Sequence, residues 1–184
     1  MAMLEAAGIA FESLPANVDE EALKRDLSGA SPSDMAAALA LKKALNVSRV
    51  KPDALVLGCD SVVSVNGRMF DKPRSRTEAE AHLRAFSGQN MVLVSAAALV
   101  RAGVVESEIV DEARLVVRPL SDAFVAAYLD LEWPAISGCV GCFRIEGRGV
   151  HLFETVAGDH FTILGMPLLK IMSALRGLSH GFVS

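Results

Sequence analysis

The stretch Leu55–Pro73, LVLGCDSVVSVNGRMFDKP, constrains this chain more than any other. It opens on Leu55-Val56-Leu57, an apolar run that reads as a strand buried on both faces. Gly58-Cys59 follow, and then a carboxylate, Asp60, at the end of the run. Val62, Val63 and Val65 continue in β-favouring residues to Asn66-Gly67, a strong signal for a two-residue hairpin. A short return strand, Arg68 to Phe70, leads into Asp71-Lys72-Pro73. Such a pattern drives an acid out at the end of a core strand, folds back, and brings a lysine near it. A carboxylate and an ammonium delivered together suggest a site for a phosphate and its metal. The plainer reading is an aspartate that ends a strand and a lysine in a surface turn.

A chain of 184 residues can bury a large core, and one domain spanning all of it is expected. The apolar share of 52% fits a well-packed globular protein. The net charge of −4 comes without a basic block or tail, so no nucleic-acid partner is expected. No apolar run approaches the ~18 residues that a membrane span requires, and no membrane partner is expected either. Nothing resembles a secretion signal, and an odd count of 3 cysteines fits a reducing compartment, the cytoplasm. Cys139 and Cys142 form a C-x-x-C pair, but with no second pair and no suitably spaced histidine they read as small-residue packing rather than a zinc site.

The remaining elements follow from caps and periodicity. Ala2–Ala7 reads as the tail of a helix ended by Gly8, and Ile9–Leu14 as a short strand. Asp19-Glu20-Glu21 opens a helix to Leu27, its acids suited to the helix dipole. Ser31-Pro32-Ser33-Asp34 is a clear helix start, with Ser at the N-cap and Pro at N1, and that helix is expected to reach about Asn46, with Lys42 and Lys43 near its end. Thr77-Glu-Ala-Glu80 reads as a capping box for a helix ending at Phe86. Met91–Val100 and Val104–Val117 form an antiparallel ribbon around Arg101-Ala102-Gly103. Ser121 caps a helix to Leu131 whose inner face is Phe124, Val125, Tyr128 and Leu129. Trp133-Pro134 closes it, and a loop of small residues, Ser137–Cys142, permits close backbone approach. Phe143–Ile145 and Val150–Val156 read as short strands, Leu168–Leu175 as a final helix, and the residues from Gly177 as a frayed end. The sum is α/β with a mixed sheet. His82, His151, His160 and His180 are scattered without metal-ligand spacing, and there is no Rossmann, P-loop or nucleophile-elbow motif.

The ordered set of short signals resembles the Maf family of nucleotide pyrophosphatases, also called septum-formation proteins. The matching pieces are Asp19-Glu20, Lys43-Ala44, Gly58-x-Asp60-x-Val-Val, Lys72-Pro73, Phe86-Ser87-Gly88 and Tyr128. They continue with Phe143-x-x-Glu146-Gly147-x-Gly149, Gly158-Asp159 and Gly165-Met166-Pro167-Leu168. Each is weak alone, and together they run in the family's order along nearly the whole chain. The resemblance implies a three-layer α/β fold with a central mixed sheet and a cleft between two lobes. It implies hydrolysis of a nucleoside triphosphate to the monophosphate and pyrophosphate with Mg2+ or Mn2+, and often a homodimer. The family's proton acceptor falls on Asp60, and its other polar site residues fall on Glu20, Lys43 and Lys72. Asp60 and Glu20 would share the metal, while the two lysines would neutralise the triphosphate and the leaving pyrophosphate.

In this family the residue after the catalytic aspartate and a Gln or Glu of the late loop sort substrates, and here they are Ser61 and Glu146. Glu occurs at the second position in the branch acting on 7-methyl-GTP, which has Gln at the first, whereas the pyrimidine branch has Thr and Gln. A glutamate accepts from the N1 and N2 hydrogens of guanine, which thymine and uracil do not offer. Trp133 is placed to stack on a cationic methylated base, or to serve as a core or lid tryptophan. A modified or unmodified purine is therefore the expected base. Two departures stand out. Family members begin with a strand and a Ser-x-Ser-x-x-Arg phosphate loop, and this sequence starts inside the helix that follows. A late start, a truncated N-terminus or lost activity each account for that, and a weakened nucleotide-binding protein on the same fold is the alternative function. The other departure is Met91, where the family often carries His.

Overall fold

The computed structural model describes residues 2–178. Helices α1 (Ala2–Ala6), α2 (Glu20–Asp26) and α3 (Pro32–Val50) precede the strands β1 (Val56–Val65) and β2 (Arg68–Phe70). Helix α4 (Arg76–Phe86), the ribbon β3 (Asn90–Arg101) and β4 (Val104–Val117), and helix α5 (Asp122–Glu132) come next. A 3-10 turn (Arg148–Leu152), strand β5 (Phe153–Ala157), the short α6 (His160–Ile163) and α7 (Leu168–Gly177) complete the order. The five strands form one sheet in the order β2-β1-β3-β4-β5. The fold class is α/β, as the sequence indicates. Where a mixed sheet was expected, both pairings with a described register, β1 with β2 and β4 with β5, are antiparallel.

The caps explain why the helices start where they do. Ser31 accepts the Asp34 amide at 3.1 Å with Pro32 at the first helical position, as its sequence demands. That helix runs to Val50 rather than Asn46, because no breaker intervenes before the Lys51-Pro52 step. The capping box of α4 sits two residues earlier than expected. Ser75, not Thr77, is the N-cap and accepts the Glu78 amide at 3.1 Å, while Glu78 reaches back to the Arg74 amide at 2.7 Å. Asn66 and Gly67 both take positive φ, 51° and 75°, which gives the primed turn that the right-handed twist of β1 and β2 requires.

Four expected strands differ. Asp60 does not end a strand: β1 runs unbroken for 10 residues from Val56 to Val65, with Asp60 near its middle. Nothing between Leu57 and Val62 punctuates the chain except Gly58, whose role is packing. Ile9–Leu14 forms no strand, and Phe11 and Leu14 are 38% and 37% exposed, so this apolar stretch lacks a sheet edge to join. Phe143–Ile145 is a loop leading into a turn, and the strand after it is shortened to β5 by the 3-10 turn ahead of it. The frayed end expected from Gly177 lies outside the described residues beyond Leu178, and so does His180.

The chain divides into two compact units. One comprises residues 1–60, 95–111 and 165–184, and the other 61–94 and 112–164. In the first, Ala44 of α3 packs with Val56, Ala98 and Val100. The second holds the larger core, with Val63, Leu83, Phe86, Leu115, Leu129 and Ile136 among its fully buried side chains. Met91, where the family often has His, is 1% exposed within that core. Among the described residues no helix is long and apolar enough to cross a membrane.

Candidate active site

The first unit assembles three of the residues singled out by the sequence. Glu20 is the first residue of α2, fixed there because the Asp19 side chain caps the helix by accepting the Ala22 amide at 2.9 Å. Lys43 lies on α3 and Asp60 on β1. The Lys43 ammonium donates to Asp60 Oδ1 at 2.5 Å and meets Glu20 Oε1 at 2.8 Å, so one cation bridges two acids 17 and 23 positions away in the chain. The adjacent Lys42 is exposed and forms no part of this bridge.

Gly58 explains how the bridge is aligned. A Cβ at this position would lie 2.3 Å from the Ala40 carbonyl oxygen and 2.7 Å from the Ala44 amide nitrogen. The strand therefore rests directly on the backbone of α3, one residue from Lys43. Asp60, two residues beyond Gly58, projects on the same side of the strand, as the two-residue period requires. The sequence shows a glycine and an alanine-rich helix. Only their contact shows that the two features are one device.

Burial alone would lower the Lys43 pKa. The hydrogen bonds to Asp60 and Glu20, and the charges of both, outweigh that and hold it above the ordinary lysine value of 10.5. Lys43 is thus a fixed cation and not a candidate base. Cys59, beside Asp60, is pushed up to about 12, first by burial and then by the Asp60 charge, so its thiol stays protonated and unreactive.

The other singled-out residues belong to the second unit. Ser61 follows Asp60 on β1 and is half-buried. Lys72 is exposed in the segment after β2, and its charge is felt at Cys139 together with those of Glu146 and Arg144. Trp133 follows the last residue of α5 as its C-cap and packs against the hydrophobic core, while Glu146 stands exposed in a turn. Cys139 and Cys142 carry free thiols, Cys142 fully buried with its sulfur 3.7 Å from His82 Nδ1. Among the described residues no group of three or more His, Cys, Asp or Glu side chains could hold a metal.

One functional candidate escaped the sequence reading. Glu132, the last residue of α5, is 1% exposed and accepts from Arg144 and Arg148 of the late loop. Its signal was present, since Val125, Tyr128, Leu129 and Glu132 follow the helical period. The inner stripe was cut one turn short because an acid was not expected on it.

Comparison with known proteins places this arrangement. The chain is 47% identical over 179 residues to the 7-methyl-GTP pyrophosphatase of Rhizobium meliloti (strain 1021), covering 96% of this chain and 90% of that protein. It is 45% identical over 175 residues to the nucleoside triphosphate pyrophosphatase of Rhodopseudomonas palustris (strain HaA2), covering 95% and 87%. To the protein of that name from Sphingopyxis alaskensis (strain DSM 13593 / LMG 18877 / RB2256) it is 45% identical over 178 residues, covering 95% and 90%. The sequence model of the family described as Maf-like protein matches residues 1–178. With the ordered motifs and the bridge they build, this settles the kinship: the chain belongs to the Maf family.

Proposed function

We propose that this protein is a nucleoside triphosphate pyrophosphatase, as the family and its named relatives indicate, and that Glu20, Lys43, Asp60 and Lys72 carry the reaction. The observation behind the site assignment is the Lys43 ammonium held between Glu20 and Asp60. A water oxygen attacks the α-phosphorus, the bond from that phosphorus to the bridging oxygen breaks, and pyrophosphate departs. Asp60 takes the proton from the water, a carboxylate's ordinary role as general base. Lys43 stays charged through the neutral range, orients Asp60, and offsets negative charge as it spreads over the phosphates. Exposed Lys72 meets the leaving pyrophosphate.

The donor chemistry suits a divalent cation. Asp60 and Glu20 supply hard carboxylate oxygens, too few to enclose a cation alone, which is the usual pattern where substrate phosphates complete the shell. Bound there, Mg2+ or Mn2+ would polarise the phosphate oxygens.

Glu146 points the reading of the base toward a guanine. Its carboxylate accepts from two adjacent donors, N1–H and the N2 amine, whereas uracil presents a single N–H between two carbonyls. That preference extends to the 7-methylated form, the substrate named for the Rhizobium relative.

The test is a panel of nucleoside triphosphates assayed for pyrophosphate release, with Asp60→Asn as control. We expect release from guanine-type triphosphates and a loss of about a hundredfold or more in the variant. Equal turnover by Asp60→Asn would remove the assigned base.

A further inference from the structure

We propose that Glu132 is a positioning residue for base selection: it clamps both stems of the loop that presents Glu146 and engages that loop's arginines, so that they do not pair with Glu146. This rests on the reading of Glu146 given above. Glu132 Oε2 accepts from Arg144 Nε at 3.2 Å and Nη2 at 2.8 Å, and Oε1 from Arg148 Nη1 at 3.4 Å. These arginines stand two residues before and two after Glu146. One buried carboxylate thus ties the two sides of the loop to the end of α5.

The backbone between them is folded tightly. The Gly147 amide donates to the Arg144 carbonyl at 3.1 Å, and a Cβ on Gly149 would lie 2.4 Å from that same oxygen. The Tyr128 hydroxyl, one turn before Glu132 on α5, donates to the Cys142 carbonyl at 3.0 Å and fixes the entry to the loop. Among the described residues Glu146 itself makes no hydrogen bond or ion pair, although its charge is felt at Arg144 and Cys139, so its carboxylate is open to a ligand. Glu132 cannot remain buried with no guanidinium beside it, because an unpaired charge in the core is strongly destabilising. Once Glu132 is neutralised, Arg144 and Arg148 have Glu146 as the remaining acid of their own loop. A Glu146 paired with arginine no longer accepts from a base.

The experiment measures binding of non-hydrolysable α,β-methylene triphosphates of guanosine and uridine by calorimetry, alongside hydrogen exchange of residues 142–150. In Glu132→Gln we expect exchange in that segment to rise and the guanosine-over-uridine preference to fall about tenfold. Glu146→Gln should abolish the preference, and adding Glu132→Gln to it should change nothing further. Arg148→Gln, an exposed change that leaves the core intact, should lower the preference in the same direction should Glu132→Gln fold poorly. An unchanged preference in the clamp variants, additive effects in the double variant, or a wild type with no preference each overturns the proposal. Because binding is read without turnover, a wild type that binds selectively but releases no pyrophosphate would sink the catalytic reading and leave this one standing.

Discussion

Lys43 is the residue on which the proposed site turns, because it touches both Glu20 and Asp60. It is 21% exposed, Asp60 is 13% exposed, and the two meet at 2.5 Å. Charge-assisted hydrogen bonds of this kind contribute about 1.5–3 kcal/mol each. Glu20, at 36% exposed, contributes less because solvent screens it. Lys43→Met should therefore cost about 2 kcal/mol, measured by thermal or urea unfolding, and should abolish detectable pyrophosphate release. The pH dependence has a definite sign. The folded-state pKa lies above the ordinary 10.5, so the ammonium's contribution is fully present below 10.5 and disappears as pH rises through the folded value. The stability gap between wild type and Lys43→Met should stay constant from neutrality to about pH 10 and close above it. A gap that closes near neutrality would mean that the bridge does not exist in solution.

At the level of elements, the site depends on how closely β1 lies on α3. Gly58→Ala places a methyl against backbone atoms of Ala40 and Ala44, which cannot swing aside as a side chain can. Helix and strand must separate, at about 1–3 kcal/mol. The same displacement parts Lys43 from Asp60, and misplacement of that order lowers turnover by up to about a hundredfold. Gly177→Ala, where nothing lies within 4 Å, should leave melting within about 0.5 kcal/mol of wild type. If Gly58→Ala melts like Gly177→Ala, the close approach is not what aligns the site. Gly58 also shows what the sequence made legible and what it hid. Local chemistry was readable: the Ser31 cap, the Asn66-Gly67 turn and the ribbon of β3 and β4 all lie where their residues put them. Short ordered motifs marked Glu20, Lys43 and Asp60, and the fold brings the three side chains together. Partnership across the chain was not readable. Ile9–Leu14 has strand composition but no ladder to join, and whether a ladder exists is decided by residues elsewhere. Nothing local marked Glu132 as paired, because the arginines that pair with it lie 12 and 16 residues further along the chain.

At the level of the whole molecule, the unit that holds Glu20, Lys43 and Asp60 is not a continuous piece of chain. It draws on residues 1–60, 95–111 and 165–184, so its core closes only when the C-terminal helix returns. Lys170 of α7 marks that return, its ammonium donating to the Val110 carbonyl at 3.0 Å and pairing with Asp111 at 2.7 Å. Ile171 on the same helix is fully buried, with Leu168 and Leu175 beside it on the inner face. Its truncation leaves a cavity in a unit that Glu20, Lys43 and Asp60 share, at a cost of about 2–5 kcal/mol. Ile171→Ala should therefore raise hydrogen exchange in α3 and in residues 95–101, which are distant from it in sequence, more than in α4 and α5 of the other unit. The opening should be felt at the bridge, lowering pyrophosphate release although no site residue is altered. Exchange that rises equally in both units would show that the molecule opens as one body. Exchange confined to α7 would show that the helix is an appendage, and then Lys43 and Asp60 would owe nothing to the end of the chain.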